Sequence, residues 1–347
     1  MAKAVKVGFI GSGGIARTHM GHLSKIEGVE LVAAADINKN ALAQAQKEYG
    51  VKQTFTDWKE LLELKELDAV SVCTPNNLHA GPTIAALNAG KHVLCEKPLA
   101  MNAKEGAQMV AAAKKAKKIL QIAFQYRFSP SAQAIRKQVA DGALGNILYT
   151  RCQALRRRGI PNWGVFGRKE LQGGGPMIDI GVHILEMSHF VIGKPKPVAA
   201  RGFTWTYLGN KKSETLCPWN NWDYKTYNVE DLAVGMITFE DGSTLVIEAS
   251  FAAHIEKDVW NSQIMGTKGG ATIDPPKIFT DQHGLMVNIE PSFVGKWDGF
   301  QYKMQHWIEC IRDGKKCEAP GEDGLVIQKM LDGVYESSCT GKEVRIR

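Results

Sequence analysis

Val5-Lys6-Val7-Gly8-Phe9-Ile10-Gly11-Ser12-Gly13-Gly14-Ile15-Ala16 is the stretch that decides the fold of this 347-residue chain. Val5, Val7, Phe9 and Ile10 make a short apolar run, as a buried parallel strand requires. It ends on Gly11-x-Gly13-x-x-Ala16, the dinucleotide-binding fingerprint in its Ala-ended form. Gly11 permits the tight turn, Gly13 lets backbone N–H groups approach a pyrophosphate, and Ala16 lets the next helix lie close on the strand. The positive end of that helix faces the phosphates, so Gly11, Ser12, Gly13, Gly14, Ile15 and Ala16 are cofactor-binding candidates.

A glycine pattern alone is often only a turn, and the context is what separates the two readings. A second apolar run, Val29 to Ala35, ends in Asp36, at the distance where the motif expects an acid for the ribose hydroxyls. Asp36 would repel a 2′-phosphate, and Ile37-Asn38-Lys39-Asn40 holds no arginine to receive one. The expected cofactor is therefore NAD rather than NADP, with Lys39 the one nearby cation that argues the other way.

Length exceeds one typical domain, so two are expected. The net charge of +7 is modest and spread along the chain. Lys114-Lys115 and Lys117-Lys118 read as a solvated helix face, so no nucleic-acid partner is expected. Seven cysteines show no CxxC pair and no ligand-like spacing with histidine, which points to a reducing compartment and no metal. The fingerprint glycines interrupt the N-terminal apolar run, so it does not read as a signal peptide, and no run approaches the ~18 apolar residues of a membrane span. A cytoplasmic protein is expected.

Residues 1–124 alternate strand and helix, the pattern of an α/β domain with a doubly wound parallel sheet. Helices are expected at Lys39 to Tyr49, after Asp57, at His79 to Asn88 and at Ala103 to Lys118, with strands at Ala69 to Cys73, His92 to Cys95 and Ile119 to Phe124. Residues 125–347 change texture. After a helix at Ser131 to Val139 come alternating or β-branched runs at 147–154, 197–207, 232–239, 244–251, 260–265 and 271–273. These read as a largely antiparallel sheet in an α+β domain. Two helices, 300–312 and 324–337, and a short strand at 343–346 close the chain.

Thr74-Pro75-Asn76-Asn77-Leu78-His79 and Cys95-Glu96-Lys97-Pro98 each follow a predicted parallel strand, where loops line the ligand crevice. Thr74, Pro75, Asn76, His79 and Glu96 are candidate cofactor contacts there; the alternative is that Asn76 and His79 build a turn and cap a helix. Lys97 at a strand end could polarise a substrate oxygen beside the nicotinamide, or be an ordinary turn lysine. Gln125 and Arg127, just past the strand ending at Phe124, are further cofactor and substrate candidates.

Gly173-Gly174-Gly175-Pro176-Met177-Ile178-Asp179-Ile180-Gly181-Val182-His183 is the second informative stretch. The glycines and proline predict a loop entering a helix at Pro176, with Asp179 and His183 on one face. His183 is then the natural general base and Asp179 its orienting group or a substrate contact; the alternative is a surface Asp–His pair.

These pieces together resemble the glucose-fructose oxidoreductase, inositol dehydrogenase and MocA superfamily. The likeness rests on the fingerprint, Thr74-Pro-Asn76-x-x-His79, Glu96-Lys97-Pro98 and Gly174-Gly175 through Asp179-x-Gly181-x-His183. It extends to Gly145-Asn-Ile, Val229-Glu-Asp231, Gly266-Thr-Lys-Gly-Gly and Thr340-Gly341-Lys342. It implies a Rossmann domain, then an open antiparallel sheet packed subunit against subunit as a homodimer or homotetramer. It also implies Lys97, Asp179 and His183 as the catalytic set.

The expected reaction is oxidation of a secondary hydroxyl of a sugar, sugar acid or cyclitol, or reduction of the ketone. Trp163 and Phe166 are placed to stack on a sugar face. Arg156, with Arg157 and Arg158, could select a carboxylate or phosphate, although in a strand Arg157 would face away from its neighbours; the alternative is that the triplet serves solubility at a sheet edge. The aromatics between Thr204 and Tyr227 read as a carbohydrate platform or as a subunit contact. Two rivals remain: an enzyme that retains its nucleotide through a net elimination, hydrolysis or isomerisation, and a nucleotide-sensing regulator on the same fold.

Overall fold

The computed structural model describes residues 4–347; residues 1–3, where the expected first domain begins, lie outside the described residues. Two compact units form. The first runs to Gln125 and includes Asp298–Gln328, and the second comprises Tyr126–Trp297 and Lys329–Arg347. The sequence reading assigns all of 125–347 to one domain, whereas the structure groups 298–328 with the first unit. The reason is apolar burial: Met304, Trp307 and Ile308 of helix Gly299–Asp313 join the core that holds Val7, Phe9, Met20 and Leu23.

In the first unit, six parallel strands are β1 Val5–Ile10, β2 Val29–Ala35, β3 Gln53–Phe55, β4 Ala69–Val72, β5 His92–Cys95 and β6 Leu120–Ile122. Their order, β3-β2-β1-β4-β5-β6, is that of the Rossmann fold, and it reverses at β1, whose following turn opens on the ligand crevice. Helices Lys39–Tyr49, Trp58–Leu62 and Ala103–Ala116 begin at Asn38, Asp57 and Asn102, whose side chains accept backbone N–H groups. Strand β3 was not foreseen, since its three half-buried residues carry no periodicity.

The second unit is built on nine strands: β7 Ile147–Leu155, β8 Pro197–Trp205, β9 Leu232–Phe239, β10 Thr244–Ser250, β11 Val259–Gly266, β12 Gly269–Thr272, β13 Lys277–Gln282, β14 Leu285–Ile289 and β15 Val344–Arg345. The order is β14-β13-β12-β11-β7-β10-β9-β8-β15, antiparallel throughout except for the parallel pair β7 and β10. Thr150, Cys152 and Ala154 of β7 and Leu245, Ile247 and Ala249 of β10 are buried on one face. Helix Val182–Val191 packs on that face of β7 and β11. Phe203 and Trp205 of β8, Met236 of β9 and Met265 of β11 stand exposed, with the Phe203 and Trp205 rings stacked 6.0 Å apart.

Among the described residues no helix is long and apolar enough to cross a membrane.

Candidate active site

The glycine turn has the backbone its sequence requires. Gly11 sits at φ +91°, and a Cβ there would lie 2.6 Å from the Cys73 carbonyl oxygen. Around Gly13 and Gly14 an added Cβ would meet nothing within 4 Å, and both glycines are exposed. Helix Gly14–Leu23 starts without a side-chain cap and without an acid in its first turn, so its leading N–H groups stay available to an anion. Ile15 is half-buried and Ala16 fully buried against the strand. The Asp36 carboxylate accepts the N–H groups of Ser12 at 2.7 Å and Asn38 at 2.8 Å, which ties the end of β2 to the turn. Ser12 Oγ is buried and has no hydrogen-bond partner among the described residues. An open cradle, an uncapped helix start and a fixed acid fit a dinucleotide.

The Lys97 turn rests on a buried charge cluster. Glu96 Oε1 accepts from Lys303 Nζ at 3.1 Å and from His19 Nε2 at 2.9 Å, while Oε2 accepts the Lys97 N–H at 3.1 Å. Ser71 Oγ lies 2.8 Å from His19 Nδ1 and orients the ring, and because a carboxylate only accepts, the contact with Glu96 is made by an Nε2–H. Burial works against the Glu96 carboxylate, yet the Lys303 ammonium, the His19 hydrogen bond and Lys97 hold it well below the usual range. Burial and the same ammonium push the His19 imidazole down to about 4. Glu96, expected as a cofactor contact, thus uses both its oxygens to anchor the turn.

His79 serves the same turn from the other side. Its Nδ1 lies 2.8 Å from the Pro98 carbonyl oxygen and its Nε2 3.0 Å from that of Thr74. Burial lowers its value, and the two carbonyls oppose that. The ring staples the Thr74-Pro75-Asn76 loop to Lys97-Pro98, whose peptide bond is cis. Asn76 is buried in a 3-10 turn, Asn76–Leu78, while Thr74 and Lys97 are half-buried and Pro75 is exposed. Gln125, half-buried, donates its N–H to the Ala123 carbonyl just past β6.

In the second unit the glycine loop leads not into an α-turn but into a π-helical segment, Met177–Gly181, and only then into helix Val182–Val191. Such π segments recur at functional sites because they shift side chains relative to a regular helix. Glu230 clamps the entrance. Its carboxylate accepts the N–H groups of Gly175 at 2.9 Å and Met177 at 3.2 Å, and the Tyr335 hydroxyl at 2.7 Å. Burial pushes the Glu230 carboxyl up, against those three donors. Gly174 and Gly175 have no room for a side chain, because a Cβ would strike the Tyr335 hydroxyl in one case and the Glu230 carbonyl in the other.

Asp179 is half-buried and His183 buried, with the Tyr126 ring edge-on to His183 at 5.2 Å. Trp260 and Trp297 pack on Tyr126 at 5.0 and 6.0 Å. Arg156 is an electrostatic neighbour of Asp179: burial lowers its value while the carboxylates of Asp179 and Asp258 oppose. A carboxylate, an imidazole, a guanidinium and a phenol ringed by aromatics suit a polyhydroxylated substrate.

Comparison with known proteins places this chain. Residues 5–124 match GFO_IDH_MocA, described as an oxidoreductase family with an NAD-binding Rossmann fold, and residues 132–272 match the GFO/IDH/MocA C-terminal domain. The chain belongs to the GFO/IDH/MocA family. It is therefore an NAD-binding oxidoreductase. It is 37% identical to the D-glucoside 3-dehydrogenase of Escherichia coli (strain K12) over 99% of this chain and 97% of that one. It is 30% identical to the levoglucosan dehydrogenase of Pseudarthrobacter phenanthrenivorans, over 68% of this chain and 62% of the relative. The crystal structure of an oxidoreductase domain protein from Kribbella flavida superposes with a TM-score of 0.88 at 27% identity, covering 99% of this chain and 100% of that one.

Not every expected contact of this GFO/IDH/MocA protein is available to a ligand. Arg127 is a correction: it is 1% exposed, its Nε donates to Glu186, and its guanidinium lies over the Phe190 ring, so it forms a core ion pair instead of reaching substrate. The arginine triplet follows β7 rather than lying in it. Arg156 stacks over Trp219 at 4.9 Å, Arg157 bonds Glu256 and Asp258, and Arg158 bonds Ala253. Trp163 and Phe166 line a cleft of about 210 Å³ with Arg168, Asp223 and Tyr227. Between Thr204 and Tyr227 the aromatics divide: Trp222 and Tyr227 are core residues, bonded to the Gly209 and Glu230 carbonyls, whereas Trp205 stays on the exposed sheet face. Sequence reasoning gave no role to Lys303, whose partners only the fold reveals. It saw Glu230 merely as part of a resemblance, although an acid between Val229 and Asp231 ahead of a strand was a usable signal.

Proposed function

We propose that this protein is an NAD-dependent dehydrogenase that oxidises a secondary hydroxyl of a sugar or cyclitol, with D-glucosides attacked at the 3-position as its first candidate substrates. The glycine-framed helix start that carries Asp179 and His183, with Arg156 as electrostatic neighbour, is the observation that supports the reading best. The substrate class follows from the name of the relative that is 37% identical over nearly the whole chain.

The turn Gly11 to Ala16 and Asp36 would hold the nucleotide, with Asp36 favouring NAD over NADP. When bound, NAD supplies the hydride acceptor. His183 takes the hydroxyl proton at an imidazole nitrogen, Asp179 orients the hydroxyl or the ring, and Lys97 stabilises the oxygen as it becomes a carbonyl. Arg156, Trp163 and Phe166 contribute to holding the sugar. The exposed face bearing Phe203, Trp205, Met236 and Met265 would pack against a second copy, giving a homodimer or homotetramer.

The test is turnover of D-glucosides and cyclitols with NAD. His183→Ala should lose roughly 10²–10⁴-fold in kcat, the contribution of a positioned base, while keeping its affinity for NAD. Lys97→Met should lose turnover as well. Undiminished kcat in both variants refutes the assignment. Sedimentation should show an oligomer that Trp205→Lys with Met236→Lys breaks into monomers; a wild-type monomer at micromolar concentration would exclude the sheet-face contact.

A further inference from the structure

We propose that His306, Cys310 and Cys317 form a binding site for a thiophilic divalent cation, with zinc the ion of choice. All three belong to the first unit, and none serves the reaction described above. His306 and Cys310 stand four residues apart on helix Gly299–Asp313 and so share a face. Gly314, at φ +68°, ends that helix in the left-handed conformation and turns the chain back, which brings Cys317 over the same face. The three donor atoms all lie within 4.8 Å of one another, and Cys310 Sγ is 3.3 Å from His306 Nε2. Zinc bound at ~2.3 Å to sulfur and ~2.0 Å to nitrogen holds tetrahedral S and N ligands roughly 3.5 Å apart, so closing the trio around an ion asks for movements of ångström size or less.

His306 Nε2 accepts the Glu318 N–H at 2.9 Å, so this nitrogen carries a lone pair and not a proton, and an incoming ion would take that lone pair over from the amide. Gln121 offers a fourth donor: its Oε1 lies 3.6 Å from Cys317 Sγ, and its Nε2 donates to the Lys303 carbonyl at 3.1 Å, which orients the amide. Two thiolates, a neutral imidazole and a divalent ion sum to zero charge, as burial favours. Access exists, because Cys317 is half-buried and lines a cleft of about 230 Å³ with Val110, Lys114 and Glu322. The ion would also do structural work. The loop carrying Cys317 continues into Ala319 and Pro320, which pair with β6 at Ile122 and Gln121, so the ion would pin that loop to the sheet edge. Sequence spacing hides the site: His-x₃-Cys-x₆-Cys is not among the usual zinc patterns, and no metal was expected from it.

The experiment titrates the reduced, chelator-treated full-length protein with Co²⁺ and then Zn²⁺. One Co²⁺ per chain should bind with a thiolate-to-cobalt charge-transfer band and tetrahedral d–d bands, and stoichiometric Zn²⁺ should bleach them. The band should vanish in Cys310→Ser with Cys317→Ser and persist in Cys339→Ser, whose cysteine is exposed. In case the double variant does not fold, wild-type protein alkylated with and without Zn²⁺ gives the same answer: Cys310 and Cys317 should be protected and Cys339 should not. Absence of a cobalt–thiolate band in wild type overturns the site. So does a band that survives in the double variant, or alkylation of Cys310 and Cys317 that Zn²⁺ leaves unchanged.

Discussion

Two buried glutamates hold the two stretches that carry the proposed catalytic residues, and they do so by opposite physics. Glu96 anchors the Lys97 turn as an ion, with the fully buried Lys303 and His19 on one oxygen and a backbone N–H on the other. Glu230 anchors the glycine loop ahead of Asp179 and His183 through two backbone N–H groups and a tyrosine hydroxyl. The first carboxyl is pulled well below its usual range and the second pushed above it. A cluster of full charges gives rigidity that collapses if one partner is lost, whereas a hydrogen-bonded clamp degrades by increments.

The hardest test of that contrast removes Lys303. Lys303→Met keeps the length and volume of the side chain but leaves Glu96 buried beside a neutral imidazole. Breaking a buried pair this way costs about 3–5 kcal/mol. The loss should be partly recovered at lower pH, because Lys303 is one of the causes that depress His19, and without it His19 can take a proton and become the counter-ion. Its folded-state value would then rise, so the recovered stability is present at low pH and lost as pH climbs. Thermal melts at pH 8 and pH 6 check this; equal losses at both would show that Glu96 does not depend on a cation.

How much of this the chain disclosed follows from where each signal lies. The fingerprint, the helices at Lys39 to Tyr49, after Asp57 and from Ala103, and the alternating strands β7, β9 and β10 are local patterns, and each was legible. Strands β13 and β14 were not, because Leu285–Ile289 is mostly exposed and has no buried face to impose a period. Lys303 looks like one more helix lysine until the fold supplies Glu96, 207 residues away in sequence. Arg127 misled for the same reason, since nothing local names Glu186 as its partner. The π segment at Met177–Gly181 escaped because its residues read equally well as the first turn of an α-helix. The catalytic candidates were therefore more legible than the groups that hold them.

A pH titration of wild-type stability sharpens the comparison further. Unfolded His19 takes a proton near its ordinary 6.5, but folded His19 resists until about 4. Between those values the unfolded chain binds more protons, so stability falls on acidification, by about 3 kcal/mol across the window. Glu96 continues the trend at lower pH, since its stabilisation is lost as pH falls through a depressed folded-state value. His19→Gln should flatten the window between 6.5 and 4. A slope identical to wild type would move the acid sensitivity to another group.

Glu230 should act with the opposite sign and a smaller amplitude. Its folded-state value is raised by burial, so the folded chain holds the proton more tightly than the unfolded one. Its contribution is then greatest below the ordinary carboxyl range and is lost as pH rises through the raised value. Glu230→Gln removes the titration while keeping the shape. One oxygen remains to accept from Met177 and Tyr335, but the new amide N–H₂ faces the Gly175 N–H, so one hydrogen bond is exchanged for a donor-to-donor contact. The expected cost at neutral pH is about 1 kcal/mol, the worth of an ordinary hydrogen bond offset by relief of a buried charge. At pH 4 the gap to wild type should widen, because only the wild-type glutamate gains from protonation. Since the clamp sits at the start of the stretch carrying Asp179 and His183, kcat should fall while affinity for NAD, held by the other unit's turn, stays constant. Melts and kinetics on one preparation decide it. A gap that narrows on acidification, or a weakened NAD affinity without loss of kcat, would mean that the two glutamates are not the opposed anchors described.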